Sequence, residues 1–209
     1  MRRSNGKARG AVLAAVAIAV VLVATACEPV PAWKKVPIAG YTPVSQRRVG
    51  SITGDQGSAT VHPLSGAPYQ VFAGEQIAQA YKDAGWTHIG DPDSHAAYIV
   101  WPYQAADFAD GKMFAVVTPH GRTFWYTHAL VGDEAGNNSF ASVSPDGRWL
   151  VSGEWGSQDR FLVFPMPMLN PSVPSGNRPL PLAATLTLPT TLQDVQGCDF
   201  ISARRLVCS

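Results

Sequence analysis

The stretch His88-Ile-Gly-Asp-Pro-Asp-Ser-His95 gathers more chemistry-bearing side chains than any other part of this sequence. Asp91, Asp93 and His95 fall at alternate positions, and an extended segment turns alternate side chains to one side. Carboxylates so spaced suit Ca²⁺, and a His–Asp mixture suits another divalent metal. The competing reading is a solvated Asp-Pro turn between two strands, because no ligand series runs on to a distal Glu as in an EF-hand. Elsewhere the chemistry thins. His120 and His128 flank one β-prone segment, and Asp133 with Glu134 sits in a Gly/Asn loop expected to face water. Ser152-Gly-Glu-Trp has no base at a recognisable spacing, and neither Gly-x-Ser-x-Gly nor a phosphate-cradling loop occurs. No residue set demands catalysis. Trp155, within Gly-Glu-Trp-Gly, is the tryptophan expected on an exposed loop, where an aromatic among polar groups serves carbohydrate or protein recognition. Trp86, Trp101, Trp125 and Trp149 fall in or beside strands, where core packing is the usual role.

Composition limits what can position these residues. The chain has 209 residues, 46% hydrophobic and only 15% charged, with 19 Gly and 17 Pro. Such a composition excludes a coiled coil and a disordered chain, and the single long apolar run excludes a multi-span membrane protein. A turn-rich β domain is the expectation.

The N-terminus reads as an address. Arg2, Arg3, Lys7 and Arg9 precede an apolar run from Ala11 to Ala26 that ends in small residues, the pattern of a secretory signal over residues 1–26. Sixteen residues are short for a membrane span, which needs about twenty. Val-Ala-Thr-Ala-Cys resembles a bacterial lipobox, with Ala24 where Leu is commoner. The resemblance implies that Cys27 is acylated and becomes the new N-terminus, anchoring the protein to the outer face of the cell membrane. Ordinary cleavage with secretion, or a retained anchor, is the alternative. Without residues 1–26 the chain carries 12 basic and 15 acidic residues, a net charge of −3. That balance supports no basic face for nucleic acid. With Cys27 acylated, Cys198 and Cys208 remain as a pair, and an exported location permits a disulfide. Two free thiols or a metal pair compete with it, but the neighbourhood offers too few further ligands for a metal.

Prolines at 29, 31, 37 and 43 make residues 27–50 a tether. In residues 51–209, short β-prone pieces follow at Ala59–His62 and Tyr69–Phe72. Glu75–Ala84 is the one helical candidate, with Ile77, Ala80, Tyr81 and Ala84 on one face and Gly85 as its stop, a cover for a sheet. From Trp86 strands recur around turns: Trp86–Ile89, Ala96–Trp101, Lys112–Val117 and Arg122–Thr127. The order restarts at Ser139–Val143, Arg148–Val151, Arg160–Phe164 and Leu182–Leu186, with a proline-rich insertion from Pro165 to Pro181. A third start, Gly197–Ile201 then Arg205–Cys208, forms a hairpin centred near Ala203.

Ser144-Pro-Asp-Gly-Arg-Trp-Leu-Val151 resembles the blade-opening hairpin of bacterial WD40-like, YncE/TolB-like β-propellers. The resemblance covers residues 86–209 and implies an all-β fold of antiparallel, propeller-like blades in a partial ring: two blades and part of a third. A β-sandwich is the structural alternative. The function expected is a lipid-anchored extracytoplasmic binding or scaffold module for a protein or carbohydrate ligand, with self-association through open sheet edges. The alternative is a lactonase-like, metal-dependent hydrolase using Asp91, Asp93 or His95.

Overall fold

The computed structural model describes residues 56–74, 77–107 and 111–209. The signal, Cys27 and the tether lie outside the described residues. What it shows is all-β, antiparallel and hairpin-built, with one short helix.

Strands β1 (Gly57–Val61) and β2 (Tyr69–Ala73) pair antiparallel as a first hairpin. Next comes a sheet ordered β3–β5–β6–β7, formed by Trp86–Ile89, Tyr98–Ala105, Lys112–Val117 and Thr123–His128. Strand β4 (Asp93–His95) pairs with the first residues of β5, so β3 and β4 together flank that strand. A second, four-stranded sheet follows in the order β8–β9–β10–β12, from Phe140–Val143, Trp149–Gly153, Ser157–Pro165 and Ala184–Gln193. The hairpin β13 (Cys198–Ser202) and β14 (Arg205–Cys208) comes last. Its terminal pair, Cys198 and Cys208, is joined by a disulfide.

Alternation within the strands decides which faces meet. Val100, Phe114, Val116 and Tyr126 of the first sheet pack on Ala141, Val143, Leu150, Leu162 and Phe164 of the second. The other face of the first sheet buries Ala115, Tyr103 and Trp86 with Ala73 and Ile77. The other face of the second sheet buries Phe140, Val151 and Phe161 against Cys198. Hairpin, sheet, sheet and hairpin thus pack face to face in chain order. The β1–β2 hairpin, which carries no Pro-Asp-Gly turn, lies against β4.

Several local expectations need correction. The helix α1 is Gln79–Asp83; Glu75 lies outside the described residues, and Ile77, Ala78 and Ala84 flank the helix rather than belong to it. Ala78 has an extended backbone and offers no side-chain cap, so the helix begins at Gln79. It does cover the sheet: Tyr81 stacks on Tyr103 at 4.7 Å and meets Trp125 at 5.0 Å. The turn between β4 and β5 is Ala96-Ala97, both left-handed (φ 47° and 65°), rather than the Asp-Pro pair. Trp149 is 39% exposed: it opens β9, and the burial of Val151, two residues on along the same face, does not extend to that end of the strand.

The Pro165–Pro181 insertion is a strap. It adds β11 (Arg178–Pro179) parallel to β7, covering the outer edge of the neighbouring sheet. Asn177 Oδ1 accepts the Trp125 N–H at 2.9 Å, Leu180 N–H donates to Thr127 at 2.7 Å, and Val173 and Leu180 enter the shared core.

Candidate functional site

Four successive units of the chain converge on Asp91. Its backbone N–H donates to Ser139 O at 2.8 Å and its carbonyl accepts from Ala141 at 2.9 Å, a parallel bridge onto β8. Its carboxylate accepts the Ser58 N–H of β1 at 2.8 Å. Gly57 and Gly197 press on that carboxylate, and a Cβ at either would overlap it. Asp93 accepts the Val143 N–H of β8 at 2.6 Å and its neighbour Ser94's N–H at 2.6 Å. Ser94 Oγ donates to Thr60 O of β1 at 2.6 Å. The alternating Asp residues are therefore staples: they satisfy backbone N–H groups of the flanking inner strands.

The staples have an electrostatic cost. Burial pushes Asp91 up to about 7 against its backbone hydrogen bond, with repulsion from Asp93 and Asp199 adding to the rise. Burial likewise raises Asp93 to about 7. Asp199 on β13 is also raised, chiefly by desolvation. His95 goes elsewhere and lies against Gly147 in the Ser-Pro-Asp-Gly turn. The structure does not bring Asp91, Asp93 and His95 together as a ligand set. Among the described residues, no three His, Cys, Asp or Glu side chains are grouped to hold a metal ion.

A cleft of about 370 Å³ adjoins this junction. Gln56 and Gln196, which immediately precede the two glycines on Asp91, line it together with Ser139, whose carbonyl Asp91 binds. His88 from β3, Gln104 from β5, Asn137 and Trp155 complete the wall. Trp155 is 45% exposed, as the sequence predicts. Its backbone is held on both sides by one amide: Asn137 Oδ1 accepts the Trp155 N–H at 2.6 Å and Asn137 Nδ2 donates to Trp155 O at 3.2 Å. Ser139 Oγ is buried with no hydrogen-bond partner.

The loop that carries Asn137 is clamped by buried charge. Lys112, fully buried on β6, donates to the carbonyls of Ala135 and Asn137 and to Glu154 at 3.0 Å. Burial holds the Lys112 ammonium below its usual range, against the pull of Glu154. Arg160 pairs with Asp133 at 3.0 Å on the outer side. Glu134 does not face water as expected; its side chain is 3% exposed and bonds His128 at 2.7 Å. Asp133 does face water. Neighbouring residues in a polar loop take opposite sides because the loop lies across a sheet edge.

A second, shallower groove of about 730 Å³ runs past Leu64, Tyr98, His120, Arg122, Phe124 and Met168. Two of its lining residues, Ala96 and Met168, have left-handed backbones. Arg122 lies over the Phe124 ring at 5.0 Å.

The sequence missed Gln56, Gln104, Asn137, Ser139 and Gln196. One signal was present: Gln-Gly occurs at 56–57 and again at 196–197, each time opening an inner strand. The sequence matches no protein-family model and no curated protein.

Proposed function

We propose that the protein is an extracytoplasmic binding module, lipid-anchored through Cys27 on the outer face of the cell membrane, that holds its ligand in the cleft beside Asp91. One observation carries this reading. Four units distant in sequence each place a polar side chain on one concave surface, with an exposed tryptophan fixed at its rim. Concave sites with a few convergent polar groups are where small ligands bind. The hydrolase reading has no comparable support, because Asp91, Asp93 and His95 are not grouped as a metal-ligand set among the described residues. The Cys198–Cys208 disulfide is compatible with export.

Two measurements test the proposal. Wild-type protein should fractionate with membranes and partition into detergent, and Cys27→Ser should abolish lipoprotein processing. Soluble protein in the medium with unmodified Cys27 refutes the anchor. For the cleft, a thermal-shift screen of small polar ligands should give hits that Trp155→Ala removes. Hits insensitive to Trp155 and Gln196 place binding elsewhere.

A further inference from the structure

Resting on the binding reading above, we infer that the ligand class of the cleft is an uncharged saccharide, stacked on Trp155 and hydrogen-bonded by the Gln56, Gln104 and Gln196 amides. The composition of the wall favours a neutral ligand. Among the described residues it contains no Lys, Arg, Asp or Glu, and His88 is its one titratable side chain, so no fixed charge is there to pair a phosphate, a carboxylate or an ammonium group. Its one large apolar side chain is Trp155, so an acyl chain or a string of apolar peptide side chains finds no second pocket. What remains is dense neutral hydrogen-bonding capacity. Each Gln amide offers two N–H donors and a carbonyl acceptor. Vicinal sugar hydroxyls also donate and accept at once, and they match such a wall without transferring a charge out of water.

Two further features fit. A pyranose has an apolar C–H face, and an indole fixed at a rim supplies a flat apolar surface with little rotamer freedom to lose. Trp155 is such a ring: its backbone is held at N–H and C=O by Asn137, and Asn137 belongs to the loop anchored by Lys112. A volume of about 370 Å³ sits at the small end of ligand sites, room for one or two sugar rings.

The test uses the exported chain. Neutral mono- and disaccharides of glucose, galactose, mannose and N-acetylglucosamine are titrated against tryptophan fluorescence and by calorimetry, with a random-sequence peptide pool in parallel. At least one saccharide should bind saturably with Kd of about millimolar or tighter, and raising the salt should leave it unchanged. Trp155→Ala should weaken binding about tenfold or more, Trp155→Phe should restore part of the loss, and Gln196→Ala should weaken binding without lowering the melting temperature. Leu64→Ala, in the other groove, should change nothing. If no saccharide binds while peptides bind in a Trp155-dependent way, the saccharide class is overturned and the cleft stands. If nothing that binds depends on Trp155 or Gln196, both readings fall.

Discussion

Raising the pH should destabilise this fold well before any cation site or surface charge becomes relevant, and the reason lies in the two stapling carboxylates. Burial holds Asp91 and Asp93 at about 7, against an ordinary aspartate value of 3.8. A carboxyl group whose folded value is raised contributes stability that is complete below its unfolded value. That stability is lost as the pH climbs through the folded value. The native state binds more protons than the unfolded chain throughout pH 4–7, so the slope of stability against pH is negative there. Each group contributes on the order of 4 kcal/mol over the window, with a limiting slope of about 1.4 kcal/mol per pH unit. A domain of this size has about 5–15 kcal/mol in all, so the effect is visible by any method. Urea unfolding followed by tryptophan fluorescence at pH 5, 6, 7 and 8 measures it. The midpoint should fall steadily with pH. Asp91→Asn keeps an oxygen for the Ser58 N–H and removes the buried charge; it should therefore raise the midpoint at pH 8 and flatten the profile. A profile that is flat or rises from pH 5 to 8, or an Asp91→Asn protein less stable than wild type at pH 8, refutes the argument.

Other outcomes follow from single contacts. Cys198→Ser with Cys208→Ser opens a loop with a sequence separation of 10. It should cost about 2–3 kcal/mol, read as a lower urea midpoint matched by reduction of the wild type. Lys112→Met removes the buried ammonium that bonds Glu154 and the carbonyls of Ala135 and Asn137, leaving Glu154 to Arg160 at 3.7 Å, and should destabilise by about 3–5 kcal/mol. Lys112→Met with Glu154→Gln should recover part of that, since the two carbonyls still lack their donor, as a double-mutant cycle will show. Ala97→Gly places the permissive residue at φ 65° in the β4–β5 turn and should stabilise the fold by about 1 kcal/mol, read as a higher urea midpoint.

How far the sequence could be read depended on which physical signal a residue carried. Strand identity rests on apolar pattern and bounding turns, and Lys112–Val117 and Arg205–Cys208 match the expected ranges at both ends. The Cys198–Cys208 pairing follows from the hairpin register that sets the two opposite each other. Asp91–His95 was read as a turn because Asp-Pro signals one, whereas the chain turns at Ala96-Ala97, where side chains disfavour the left-handed backbone and give no signal. The β1–β2 hairpin lacked a Pro-Asp-Gly turn and so was not counted, although tertiary contact with β4 sets its place. The cleft was the least legible part. Its glutamines are polar surface residues with no periodicity, and only their approach to one point in space makes them a site.

That approach links the proposed ligand to the integrity of the fold. Gln56 opens the first hairpin and Gln196 the last, and the glycine after each is pressed on Asp91. A ligand spanning the cleft therefore bridges units that meet on a carboxylate raised by burial. Ionisation of Asp91 loosens the junction from below, and occupation of the cleft ties it from above. A ligand that binds only the assembled junction stabilises it by RT ln(1 + [L]/Kd), about 2.7 kcal/mol at a hundredfold excess over Kd. This is of the same order as the loss that Asp91 ionisation imposes. The two effects act on one element, so saturating ligand should raise the urea midpoint at every pH from 5 to 8, and by most where Asp91 is protonated. By linkage, binding should weaken as Asp91 ionises.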